Sequence, residues 1–128
     1  MKNSILIFVL ALVSSCHFLR KPSTTTNCNT SKFDFDINAI DAKGRYLENN
    51  NSSYLHYEFC LPQNSECLKQ IKRINSKLKP LKSSALLKCG KQSILMSGTS
   101  YQDPNPKQTL CELAELACIK SISKSPFE

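Results

Sequence analysis

Hydrophobic and polar positions divide the chain into three kinds of stretch. Ile5 to Val13 is an unbroken apolar run, preceded by one charge, Lys2, and followed by Ser14-Ser15-Cys16. Such a run is too short to cross a bilayer as a helix, and the order of charge, apolar run and small residues is that of an export signal. Residues 17–32 have no helical or strand period, are rich in Ser and Thr, and read as a flexible tether.

Periodic patterns begin at Phe33. Phe33, Phe35 and Ile37 alternate with polar residues and predict a half-buried strand over 33–40. Asp41-Ala42-Lys43-Gly44 predicts a turn into a return strand starting at Arg45, and Asn49 to Ser53 reads as a loop. The aromatic-rich stretch Tyr54 to Leu61 predicts a strand ended by Pro62. Asn64 or Ser65 as cap, Glu66 in the first turn, and Leu68, Ile71, Ile74 and Leu78 at three- and four-residue spacing predict a helix closed by Pro80. The short apolar run from Ser93, ended by Gly98, predicts a buried strand, and 102–106 a loop. A last helix is predicted from Lys107 to Ser123, with Leu110, Leu113, Ala114, Ala117 and Ile122 turned inward. This order predicts an α+β fold, a small antiparallel sheet with two helices packed on it. The expected organisation is a signal over 1–15, a stretch over 16–32 that begins at Cys16 and holds the tether, and one small domain over 33–128.

The signal closes on Val13-Ser14-Ser15-Cys16. These residues resemble the lipobox of bacterial lipoproteins, with Val13 where leucine is commonest. The resemblance covers only the start of the chain. It implies that the Cys16 thiol receives a diacylglyceryl group, that a signal peptidase cuts just before it, and that further acyl chains make the anchoring stable. His17 rather than Asp after the cysteine resembles the outer-membrane default of that class. The expected setting is thus the cell envelope, with the membrane as a partner through Cys16.

The cysteine count agrees with that assignment. Seven cysteines are an odd number, and an odd cysteine in an exported chain needs an explanation. Setting Cys16 aside leaves Cys28, Cys60, Cys67, Cys89, Cys111 and Cys118, enough for three bridges in an oxidising compartment. Six cysteines allow 15 pairings. On one helix Cys111 and Cys118 would stand roughly 10 Å apart, beyond the ~7 Å that a bridge tolerates. Each must therefore reach back to one of the other four, and the fold is expected to be disulfide-stapled. The gaps lack the close Cys pairs of zinc sites and there is no Cys-x-x-Cys, so neither a metal, a redox dithiol nor a cofactor is expected.

Charge narrows the partners only slightly. Removal of fifteen residues from 128 leaves 113, and loss of Lys2 leaves 16 basic against 10 acidic residues, a formal charge of +6. Such a surface fits anionic envelope components or another envelope protein. The densest basic group, Lys69, Lys72, Arg73, Lys77, Lys79 and Lys82, has no interleaved aromatics, which argues against nucleic acid and for a solvated helix face.

Catalytic chemistry has few candidates. His17 falls in the tether. His56 and Glu58 share one face of the predicted strand and can in principle act as an acid–base pair, as a small envelope hydrolase would need. With no nucleophile or cleft identifiable, a surface polar pair and a non-enzymatic protein are expected. Met96 is expected in the core. Asn29-Thr30-Ser31, Asn50-Asn51-Ser52 and Asn51-Ser52-Ser53 fit the glycosylation pattern, which would matter in a eukaryotic secreted protein. In that setting Cys111 to Cys118 is similar to the helix of Kazal-type protease inhibitors, with 102–106 as an exposed loop. The stretch before the tyrosine and a following cysteine are missing, so no inhibitory residue carries over.

Overall fold

The computed structural model describes residues 28–84 and 87–126. Eight named elements follow in order: β1 (Arg45–Glu48), β2 (Asn51–Tyr54), β3 (His56–Pro62), α1 (Ser65–Ile74), β4 (Lys79–Leu81), β5 (Ser93–Thr99), α2 (Pro106–Glu115) and β6 (Ser123–Lys124). β1 and β2 form a hairpin, and the other strands a sheet in the order β4-β5-β3-β6, all neighbours antiparallel. The fold is α+β and disulfide-stapled, as expected, with a separate two-stranded hairpin besides the main sheet.

The alternation of β3 builds the core. Tyr57, Phe59 and Leu61 are buried on one face, next to Met96 of β5, with Ile71 of α1 and Leu110, Leu113 and Ala114 of α2 in the same cluster. Ile119 and Ile122 complete it from beyond α2. Each helix starts where its cap dictates. The Asn64 side chain accepts from the Glu66 N–H, and Asn105 accepts from the Gln108 N–H with Pro106 opening α2.

The helix ends differ from expectation. α1 stops at Ile74, because Asn75 turns extended and its side chain accepts from the Lys77 N–H, an alternative to the helical bond. Pro80, expected to close that helix, lies in edge strand β4, where a missing N–H is tolerated. α2 stops at Glu115 rather than running to Ser123. Leu116 is extended, its carbonyl accepts from Lys32 Nζ at 2.9 Å, and the chain turns back to place Ile119 and Ile122 in the core. Cys111 and Cys118 therefore do not share a continuous helix.

Two further expectations change. Residues 33–40 form no strand. Phe33 makes a single bridge to Ile122, and Asp36 accepts from the Asn38 N–H to start a 3-10 turn over Ile37–Ala39. The aromatic face survives: the Phe35 ring packs edge-on against Tyr46 with centroids 6.0 Å apart. In turn, the loop expected over 49–53 contains β2. Asn49 and Asn50 both take positive φ, 49° and 64°, which makes the two-residue turn that suits a hairpin's twist.

The hairpin is locked to the main sheet through Ser100. Its buried hydroxyl accepts from the Leu55 N–H at 2.8 Å and donates to the Gly44 carbonyl at 2.5 Å. Gly44 is needed there, since its φ is 80° and a Cβ would stand 3.1 Å from the Ser100 carbonyl oxygen.

Three bridges use all six cysteines of the described residues: Cys28–Cys111, Cys60–Cys89 and Cys67–Cys118, with Cα separations of 4.8, 5.5 and 6.5 Å. As expected, Cys111 and Cys118 each reach back instead of pairing together. Cys28–Lys32, at the end of the expected tether, belong to the folded domain through this bridge, a 3-10 turn and the Lys32–Leu116 bond.

Candidate functional site

An open groove of about 1320 Å³ runs along the sheet, lined by the C-terminal end of α1, the 101–105 loop and the first turns of α2. Strand alternation sorts its lining onto two faces. Tyr57 and Gly98 turn to the helix side, whereas His56, Glu58, Ser97 and Thr99 turn to the other.

On the helix side, β3 and β5 place the Tyr57 ring across Gly98. A Cβ at Gly98 would stand 2.4 Å from Tyr57 Cζ and 2.5 Å from the hydroxyl oxygen, so only glycine admits the ring. The hydroxyl is buried and completes no hydrogen bond of good geometry, with the Asn75 side chain beside it. Burial, reinforced by the Asp103 charge and weakly opposed by the Asn75 side chain, pushes this phenol well above its ordinary value of 10.0. It stays a neutral O–H.

Along the α2 wall, planar polar groups bond edge to edge. Asn105 Nδ2 donates to Gln108 Oε1 at 2.9 Å, and Gln108 Nε2 donates to Glu112 Oε1 at 3.0 Å. Gln102, at φ 58°, directs its carbonyl to Lys77 Nζ at 3.4 Å. Tyr101 is half-exposed at the mouth, its ring edge-on to Tyr54 with centroids 4.8 Å apart. Lys72, Arg73 and Lys77 supply a basic rim, while Lys79, paired with Ser97, turns to the other face. The ion pair among the described residues, Lys124–Glu48, lies elsewhere, between β6 and the hairpin.

On the other face, His56 is exposed and Glu58 is buried. They project to the same side, as expected, yet the Glu58 carboxylate accepts from the hydroxyls of Ser84 and Ser125, the latter at 3.2 Å. Ser125 also donates its backbone N–H to the His56 carbonyl at 2.8 Å. The buried carboxylate thus ties the C-terminal segment to the 82–92 connection.

Comparisons with family models, with curated proteins and with solved structures each gave no match. The site must therefore be read from its own chemistry.

Cys16 and His17 lie outside the described residues. Met96 is in the core, as expected. Of the six basic residues read as a solvated face, all are exposed, but Lys72, Arg73, Lys77 and Lys79 also border the groove. Asn50 and Asn51 sit at the exposed hairpin turn, and Asn29 accepts from the Ser31 hydroxyl at 2.6 Å. Among the described residues no His, Cys, Asp or Glu cluster is arranged to hold a metal ion, and no helix is long and apolar enough to cross a membrane.

Sequence reasoning missed Tyr57, Gln108 and Asp103 as site residues. One signal was available for the first. A glycine at the end of a buried apolar run marks a close approach by a neighbouring group, and here that group is the Tyr57 ring.

Proposed function

We propose that this protein is a bacterial envelope lipoprotein, exported, cut before Cys16 and held in the outer membrane by lipid on that residue. Its disulfide-bonded domain acts as a non-enzymatic binding module, with the groove between α1 and α2 as the binding surface. The observation that carries the reading is cysteine parity. Three bridges consume Cys28, Cys60, Cys67, Cys89, Cys111 and Cys118 among themselves. Cys16, the cysteine of the lipobox-like stretch, is the one left over of seven. A thiol with no bridge to make is free to carry lipid. The binding role draws support from the groove's concave shape and its basic rim. The Glu58 carboxylate, bonded to two serine hydroxyls, acts as a tie between segments.

Intact mass of the mature protein tests the anchor, with wild type beside Cys16→Ser. The expected wild-type species begins at Cys16 and carries a diacylglyceryl-sized increment that Cys16→Ser lacks. A product with Cys16 removed or disulfide-bonded sinks the lipoprotein reading and leaves a secreted protein.

A further inference from the structure

Three features of the groove leave polar or charged groups with bonding capacity beyond what the fold uses. The Tyr57 hydroxyl lies buried with the Asn75 side chain beside it and completes no hydrogen bond of good geometry, a state that folded proteins seldom leave uncompensated. The Asn105–Gln108–Glu112 row presents amide and carboxylate edges side by side. Lys72, Arg73 and Lys77 have no carboxylate partner among the described residues.

These features together restrict the ligand. One that offers only negative charge meets Asp103 and Glu112 in the same groove. A neutral one leaves the basic rim unused. A chain of hydroxylated rings bearing carboxylates satisfies both, because ring hydroxyls donate to Glu112 and Gln108 while each carboxylate meets a cation. Tyr101 adds an exposed aromatic face whose negative π-cloud attracts the C–H face of such a ring. A nucleic-acid strand would add a phosphate per residue against the two carboxylates and finds no row of aromatic faces.

We propose that the groove binds an acidic carbohydrate chain of uronic-acid type. The hydroxyls lie along Asn105, Gln108 and Glu112, the carboxylates against Lys72, Arg73 and Lys77, and the Tyr57 hydroxyl donates to a ring oxygen. The Asn75 side chain stands beside that hydroxyl, where the ring oxygen takes its place on binding. This inference rests on the reading of the domain as a binding module and does not depend on the lipid at Cys16.

The test is a calorimetric and amide-shift titration of the full chain, as its host processes it, with tetragalacturonate. Maltotetraose and tetraglutamate are the neutral and non-sugar anionic probes, run beside vesicles of anionic phospholipid. Tetragalacturonate is expected to bind, shifting the amides of Gly98, Tyr101 and Gln108, with maltotetraose weaker and tetraglutamate weaker still. Tyr57→Phe is expected to lower the affinity about tenfold, equivalent to about 1.4 kcal/mol, without lowering the melting temperature of the free protein. Tyr101→Ala, at an exposed position, is expected to weaken binding similarly. Equal binding of tetraglutamate or of the vesicles overturns the carbohydrate and leaves a binding module for anions. Unchanged affinity in Tyr57→Phe, or no tetragalacturonate binding at millimolar concentration, also overturns it. A protein found to lack lipid but to bind tetragalacturonate as described fails the anchor reading alone.

Discussion

Gly98→Ala isolates the contact that shapes the floor of the groove. Gly98 does not have a positive φ, so the backbone itself accepts alanine. On unfolded-state entropy alone the substitution should stabilise, by about 0.4–1 kcal/mol. The ring of Tyr57 reverses the sign. The new methyl carbon would meet Cζ, the hydroxyl oxygen and Cε2 at 2.4, 2.5 and 2.6 Å, against an optimum of about 3.5–4.0 Å between carbons. The ring must therefore retreat by about 1 Å, and with only 1 % of Tyr57 exposed it has packed atoms around it. Overpacking of this kind costs about 1–3 kcal/mol, occasionally more. With three overlapping atoms the expected loss is about 3 kcal/mol, or roughly 12–24 °C in melting temperature for a domain of this size. Thermal and urea melts with the bridges intact measure it. Gly90→Ala is the control, since its nearest neighbour, Ser93 Oγ, is 3.9 Å from the added carbon. Adding Tyr57→Ala to Gly98→Ala should recover most of the loss specific to the glycine, a coupling of about 2–3 kcal/mol. Melts of Gly98→Ala that match wild type, or a double mutant in which the two losses simply add, would refute the ring contact.

Two other measurements bear on the fold and the same tyrosine. The bridges Cys28–Cys111, Cys67–Cys118 and Cys60–Cys89 span 83, 51 and 29 residues, for which loop-closure entropy predicts contributions of about 4.5, 4.1 and 3.6 kcal/mol. Replacing each pair by alanines should destabilise in that order in chemical denaturation, and a largest loss at Cys60–Cys89 would contradict the entropic account. The raised Tyr57 phenol predicts an alkaline dependence. Its contribution is fully present below the unfolded-state value of 10.0 and is lost as pH rises through the folded value, because the unfolded chain then releases a proton that the folded chain keeps. The limiting slope is about 1.4 kcal/mol per pH unit. Urea melts at about pH 9 and about pH 11 should show a smaller alkaline loss in Tyr57→Phe than in wild type; equal losses would place the hydroxyl in contact with solvent.

What the pattern of residues reveals is which side chains go inside, more than the path the backbone takes to put them there. Phe33, Phe35 and Ile37 do pack against the domain, yet Asp36 captures a backbone N–H and the segment coils where alternation predicted a strand. Leu110, Leu113 and Ile122 are all in the core, but α2 ends at Glu115, because a lysine 84 positions away takes the Leu116 carbonyl. Helix starts were legible because a cap is local: Asn64 and Asn105 bond N–H groups two and three residues on. The end of α2 was not, since the lysine that takes the Leu116 carbonyl arrives from distant sequence, whereas α1 stops on a local bond from the Lys77 N–H to Asn75. The hairpin lay between these cases. Asn49-Asn50 is a local signal for a two-residue turn, but the polar strand after it carries no alternation to announce it.

The groove was illegible for the same reason carried further. Lys72 and Lys77 look like a solvated face from their own neighbours, and they are exposed. They become a rim only because the chain returns about thirty residues later with Tyr101 to Asn105. Tyr57 is harder still. Its place in an alternating strand assigns its ring to the core, correctly, and says nothing of whether its hydroxyl finds a partner there. A phenylalanine would give the same pattern and the same ring contact with Gly98 without an unpaired hydroxyl. The hydroxyl costs the free protein about 1–3 kcal/mol if nothing bonds to it. On the proposal that the groove takes a ligand, that cost is offset on binding, and comparison of Tyr57→Phe in the free protein and with tetragalacturonate separates the two.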